Sequence, residues 1–161
     1  MISAKKNNGG TRAYYSAVQS RYDLRHFVDA QDPVLDQVRA ELRAGRKTTH
    51  WMWFVFPQIE GLGSSFMAAR YALASLDHAK AYFAHPVLGP RLKECTQLVL
   101  QVDGRSIRQI FGQPDDMKFR SCMTLFAKAA PAEPLFAAAI GKHFGGEFDP
   151  LTLARLSARD G

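Results

Sequence analysis

Apolar residues recur along much of this chain at the three- and four-residue spacing that places them on one face of a helix. The pattern is clearest over 86 to 102, where Leu88, Leu92, Cys95, Val99 and Val102 are separated by four, three, four and three residues. That stripe predicts a helix with one buried face. The same reading predicts helices over 24 to 30, from Pro33 to about Ala44, over 64 to 74, 77 to 84, 114 to 130 and 133 to 144, and from Pro150 to about Ala158.

Punctuation supports these boundaries. Asp32-Pro33 and Asp149-Pro150 each set a capping carboxylate before a proline whose missing amide hydrogen costs nothing in a first turn. Gly45 and Gly145-Gly146 stand where helices should stop. Only 50 to 56 could be read as a strand, and glycine and proline otherwise fall at helix ends and not between alternating runs. The expected fold is all-α, an irregular single-domain helical bundle of about seven to nine helices.

Residues 1 to 22 fall outside the periodic pattern. Asn7-Asn8-Gly9-Gly10 is a breaker cluster, so a flexible N-terminal extension is expected before a single α-helical domain spanning 23 to 161. Charge follows the same division. The chain carries +6, but Lys5, Lys6, Arg12 and Arg21 all precede the first acid, Asp23, which leaves only +2 for the remainder. A near-balanced domain gives no reason to expect an anionic polymer, so nucleic acid is expected only in weak contacts with the extension.

At 47% hydrophobic and 22% charged residues the composition is that of a globular protein. The longest apolar run, Trp51 to Pro57, is too short to cross a bilayer, and no membrane partner is expected. The polar opening MISAKKNNGG lacks the pattern of a secretory signal, which points to the cytoplasm. Cys95 and Cys122 then read as reduced thiols facing the core.

The chemistry-bearing residues concentrate in three places. From Arg43 to Gln58, basic Arg43, Arg46, Lys47 and His50 run into aromatic Trp51, Trp53, Phe54 and Phe56. As a helix, His50, Trp53 and Phe54 share a side; as a strand, His50, Met52, Phe54 and Phe56 do, and the pattern fits both. These rings could form the central core or the wall of a pocket bracketed by His50 and Gln58. Gly61-Leu-Gly-Ser-Ser65 follows and leads into a helix start that could receive an anion, although it lacks the lysine and spacing of a phosphate loop.

Arg70 falls with Phe66 and Leu73 at i, i+4 and i+7, so its guanidinium should lie along an apolar stripe and require an acid or a bound anion. Arg91 stands one turn from Leu88 and Cys95 in the same manner. In the third place, 115 to 124, Asp116 and Arg120 are spaced to pair on a helix surface, while Lys118, Ser121 and Thr124 gather an ammonium and two hydroxyls on one side. The candidate ligand-binding set is therefore His50, Trp53, Gln58, Arg70, Arg91, Lys118 and Arg120.

Cations beside an aromatic wall suit an anionic or nucleotide-like small molecule. Two other readings stay open: single-stranded nucleic acid stacked on Trp51 or Trp53 with phosphates on Arg43, Arg46 and Lys47, and a protein-interaction domain without chemistry. Paired-histidine, cysteine-pair, calcium-loop, dinucleotide and nucleophile-elbow motifs are missing. No metal and no cofactor are expected, and no reaction is assigned.

Four segments, FVDAQDPV at 27 to 34, AGRKTTHWMWFVFPQIEGLG at 44 to 63, YALASLDHAKAYFAHPVLGPRL at 71 to 92 and DDMKFRSCMTLF at 115 to 126, resemble a bacterial and fungal domain of unknown function whose members are sometimes labelled calpastatin-like. The resemblance covers residues 23 to 157. It implies a helical fold and no particular activity, substrate or cofactor. The label itself fits poorly, because an inhibitor of that type is a disordered chain that folds on its target, whereas this sequence has the apolar stripes of a preformed core.

Overall fold

A computed structural model describes residues 22–160. It places ten helices among them: α1 (Arg25–Gln31), α2 (Leu35–Ala44), α3 (Met52–Val55), α4 (Phe66–Arg70), α5 (Leu76–Ala84), α6 (Leu88–Leu100), α7 (Ile107–Phe111), α8 (Asp115–Ala129), α9 (Pro134–Phe144) and α10 (Pro150–Asp160). The expected extension lies outside the described residues apart from Tyr22. The fold is all-α as expected, with one isolated parallel bridge, Ile59 to Leu73.

The count exceeds seven to nine because short helices escape a periodicity argument. α7 has only five residues, yet its start carries a legible capping box: Ser106 accepts from the Gln109 amide while the Gln109 side chain accepts from the Ser106 amide. Elsewhere the punctuation acts largely as read. Gly45 ends α2 at φ +69, and Asp149 caps α10 by accepting from the Thr152 amide at 3.1 Å. Asp32 is the exception. It closes α1, and its carboxylate turns to Arg91 instead of capping α2, whose N-cap Val34 contributes no side-chain bond.

The core is organised around α8, against which α5, α7, α9 and α10 pack. Its Phe119, Met123 and Phe126 stripe is fully buried, as are Cys122 and Leu125. Aromatic contacts extend from it on one side through Phe111 and Phe56 to Trp51, and on the other through Tyr82 to Phe27. Leu88, Leu92, Cys95 and Val99 of α6 join the same cluster. Both cysteines are buried and free; burial pushes the Cys95 thiol up to about 12 and that of Cys122 well above its ordinary range.

Within the open segment at 50 to 56, Met52–Val55 form a short helix and no strand, and the segment divides its aromatics. Trp51, Phe54 and Phe56 enter the core, and Trp53 lies half-buried at its edge. What holds the segment is the buried Glu41. Its carboxylate accepts from the Thr48 and Thr49 amides, the Thr49 hydroxyl, the Gln37 amide and the Trp51 indole. Burial alone would raise this carboxyl, but the hydrogen bonds outweigh it and hold the group down at about 2.

Candidate functional site

The loop from Phe56 to Ser65 is fixed at three points. Its middle is tied to the chain after α4 by Leu73 N–H to Gln58 O at 2.9 Å and Glu60 N–H to Leu73 O at 2.8 Å. Its far end caps α4, where the Ser65 hydroxyl accepts from the Ala68 amide. Between these, Gly61 sits at φ +95 with Arg155 of α10 lying against it and donating to its carbonyl at 3.0 Å. A Cβ at Gly61 would come within 2.4 Å of the Arg155 guanidinium carbon, so only glycine permits both the turn and that contact.

Two hollows open on either side of this loop and share Gln58, Gly63 and Ala68 in their walls. The first, of about 210 Å³, is bounded by Trp53, Glu60 and Tyr71. The second, of about 420 Å³, reaches the front of α8 and the start of α10, where Met117, Lys118, Ser121, Asp149 and Leu151 line it. Lys118 links the two: its ammonium stands 5.3 Å from the centroid of the Trp53 ring. Its acidic neighbour Asp115 lies 3.6 Å away but is held at 2.9 Å by the buried Lys47, so two lysines share one carboxylate.

Of the candidate set, the structure brings together Trp53, Gln58 and Lys118. The other four lie elsewhere. Arg70 is exposed on a helix of five residues with no buried side chain; Phe66 is 78% exposed and Leu73 belongs to the β-bridge, so the expected apolar stripe does not form. Solvent takes the place of the acid or anion that a buried guanidinium would need. The Arg70 side chain leans on Tyr71, 5.7 Å from its ring. His50 is exposed just before α3 and lines neither hollow.

Arg91 and Arg120 are both occupied by the fold. Arg91 pairs with Asp32 at 2.7 Å and donates to the Gln31 side chain, whose amide in turn bonds Phe54 O and the Tyr82 hydroxyl. Arg120 does not pair with Asp116. It donates to the carbonyls of Glu147 and Phe148, clamping the turn between α9 and α10, while Asp116 is buried and accepts from the Met117 amide. Ser121 lines the second hollow beside Lys118, but its hydroxyl donates to Asp149 at 2.9 Å. Thr124 turns away to accept from the Asp149 amide. Sequence reading missed Arg155, which stands 94 residues from Gly61 with no local signal to connect them.

Stacking on Trp51 is closed, because the ring is 1% exposed, and Lys47 is engaged by Asp115. No group of three or more histidine, cysteine, aspartate or glutamate side chains gathers in a metal-binding arrangement among the described residues. No helix among them is long and apolar enough to cross a membrane.

The chain matches, over residues 21–156, the family described as "Protein of unknown function (DUF1810)". It belongs to this family. A crystal structure of the conserved hypothetical protein Rv1873 from Mycobacterium tuberculosis is similar to it at 58% identity and a TM-score of 0.84, covering 85% of this chain and 98% of that one. Among curated proteins none matches. Membership agrees with the resemblance carried by the four segments, and this DUF1810 protein places parts of two of them, AGRKTTHWMWFVFPQIEGLG and DDMKFRSCMTLF, in the lining of the second hollow.

Proposed function

We propose that the hollow between the 58–65 loop and the front of α8 binds a small anionic molecule, with its acid group on Lys118 and the Gln58 amide, beside the Trp53 ring over which Lys118 stands. The observation that carries this reading is Lys118 itself, an ammonium held over an aromatic ring at a concave surface while the nearest carboxylate is taken by a second lysine. Ser121 is committed to Asp149, and nothing near Lys118 supplies an activated nucleophile, so binding is the better supported role. A panel of carboxylate- and phosphate-bearing metabolites, screened by thermal shift and followed by calorimetry, tests it. Lys118→Met keeps the apolar stem and should fold normally while losing every acid that the native chain binds. Undiminished binding by this variant would remove the assignment.

A second reading, docking of a partner protein, is favoured by the apolar rim. Met117 and Leu151 are 46% and 66% exposed at the mouth of the hollow, and Phe66 adjoins it in sequence at Ser65. Met117→Ser with Leu151→Ser separates the two: it should weaken a protein partner and spare an acid bound by Lys118.

A further inference from the structure

The near balance of charge over 23 to 161 conceals an uneven surface. Segments 43–50 and 105–113 contain Arg43, Arg46, Lys47, Arg105 and Arg108 and no aspartate or glutamate. They are far apart in sequence, and the fold joins them: Arg105 Nε donates to Gly45 O at 2.8 Å, and the Lys47 amide donates to Ile110 O at 2.7 Å. Arg43, Arg46, Arg105 and Arg108 are all exposed. The bonds of Arg105 and Arg108 go to neutral acceptors, the carbonyls of Gly45 and Gln109 and the Gln113 side chain.

Three of the neighbouring acids are already engaged. Glu41 is saturated by the Thr48 to Trp51 segment, Asp115 is held by Lys47, and Asp116 is buried on the Met117 amide; Asp103, 95% exposed and 3.6 Å from Lys142, is left facing solvent. The four guanidinium groups therefore keep their charge toward solvent, Arg43 at the end of α2, Arg46 and Arg105 on the joined loops and Arg108 in α7. Around them Thr48, His50, Ser106 and Gln109 are exposed and can hydrogen-bond phosphate oxygens. The aromatics of the same segments, Trp51 and Phe111, are buried, and the exposed large apolar residues of the described chain, Phe66, Val87, Met117 and Leu151, lie outside both segments.

We propose that this arginine surface binds the phosphate backbone of duplex nucleic acid, without reading its sequence. Guanidinium groups match phosphate geometry, and with Trp51 and Phe111 buried the single exposed imidazole of His50 offers no platform for successive unpaired bases, which leaves backbone contacts as the main mode. The lack of an exposed apolar side chain speaks against an anionic membrane, since insertion needs one. This surface is separate from the Lys118 hollow, and the two proposals fail independently.

Fluorescence anisotropy of a labelled duplex of about 20 base pairs, titrated with the full chain at roughly 50 and 200 mM salt, tests the proposal; a site of this kind loses orders of magnitude in affinity over that range. Arg43→Gln, Arg46→Gln and Arg108→Gln are combined in one variant, with Arg105 left in place because it anchors Gly45. A second variant neutralises Lys5, Lys6, Arg12 and Arg21. The triple variant should weaken binding by about tenfold or more at low salt and flatten the salt dependence by roughly two to three powers, near 0.9 for each phosphate no longer neutralised. It should do so more than the four-site terminal variant. The proposal is overturned if the full chain does not bind the duplex, if the terminal variant alone loses binding, if a single strand of equal length binds more tightly, or if these arginines instead govern binding to phosphatidylserine vesicles.

Discussion

Trp51 and Trp53 are two residues apart and each lies beneath a lysine, at 5.1 Å for Lys47 and 5.3 Å for Lys118. Their surroundings separate them. Trp51 is sealed: its indole donates to buried Glu41, and the Lys47 side chain is 7% exposed and 2.9 Å from Asp115. Trp53 faces a hollow, and its lysine is 25% exposed with a longer contact to the same carboxylate. The same residue types therefore make a structural strut in one case and an accessible cation in the other. What decides is which partner completes the charge within the fold.

The largest effect expected from this contrast is on stability. Trp51→Ala should cost about 3–5 kcal/mol, since it empties a core position and leaves Glu41 short of one donor. For a chain of this size that lowers the melting temperature by roughly 10 °C or more. Trp53→Ala should cost less than half as much. Equal losses in thermal melts would erase the distinction between sealed and open.

The lysines should follow in the same order. Lys47→Met leaves the partly buried Asp115 with only the distant Lys118 and should cost about 1–3 kcal/mol, less than a fully buried ion because solvent still reaches the carboxylate. Lys118→Met should lie within about 0.5 kcal/mol of the native chain. Urea denaturation of the two variants measures the difference, and a reversed order would mean that Lys118 is the structural partner.

Burial elsewhere in the fold, together with Glu41, predicts two acid transitions. His26, His78, His85 and His143 all lie below their ordinary value of 6.5, chiefly because burial disfavours their charged form. The unfolded chain therefore takes up these protons first, and stability should begin to fall as pH drops below about 6.5. Glu41, lowered from 4.5 to about 2, contributes stability that is present above 4.5 and lost as pH falls toward 2. Chemical denaturation across pH 8 to 3 should show the first loss before the second, and Glu41→Gln should abolish only the second.

Much of the fold was legible in the chain because long helices carry their own record. The α6 and α8 stripes, the Gly45 stop and the Asp149 cap follow from local spacing and local chemistry. The site was legible only in part. Trp53, Gln58 and Lys118 stood out by residue type, but a helical spacing assigned Arg70 to a stripe that requires α4 to continue past Tyr71, where the chain instead bridges to Ile59. The roles of Arg91 and Arg120 depend on acceptors at Asp32 and Glu147, and the basic surface depends on Arg105 reaching Gly45; such long-range pairings leave no periodic trace.

Quenching of tryptophan emission by iodide and by neutral acrylamide, compared in the native chain and in Lys118→Met, tests the open cation most directly. Trp51 is buried, so the quenchable emission should come from Trp53, and Trp53→Phe should remove most of it. Lys118→Met should sharply reduce quenching by iodide while leaving quenching by acrylamide equal or greater, because the charge that concentrates the anion is gone and the ring stays reachable. Iodide quenching that is unchanged by the substitution would show that Lys118 does not present its positive charge to the hollow.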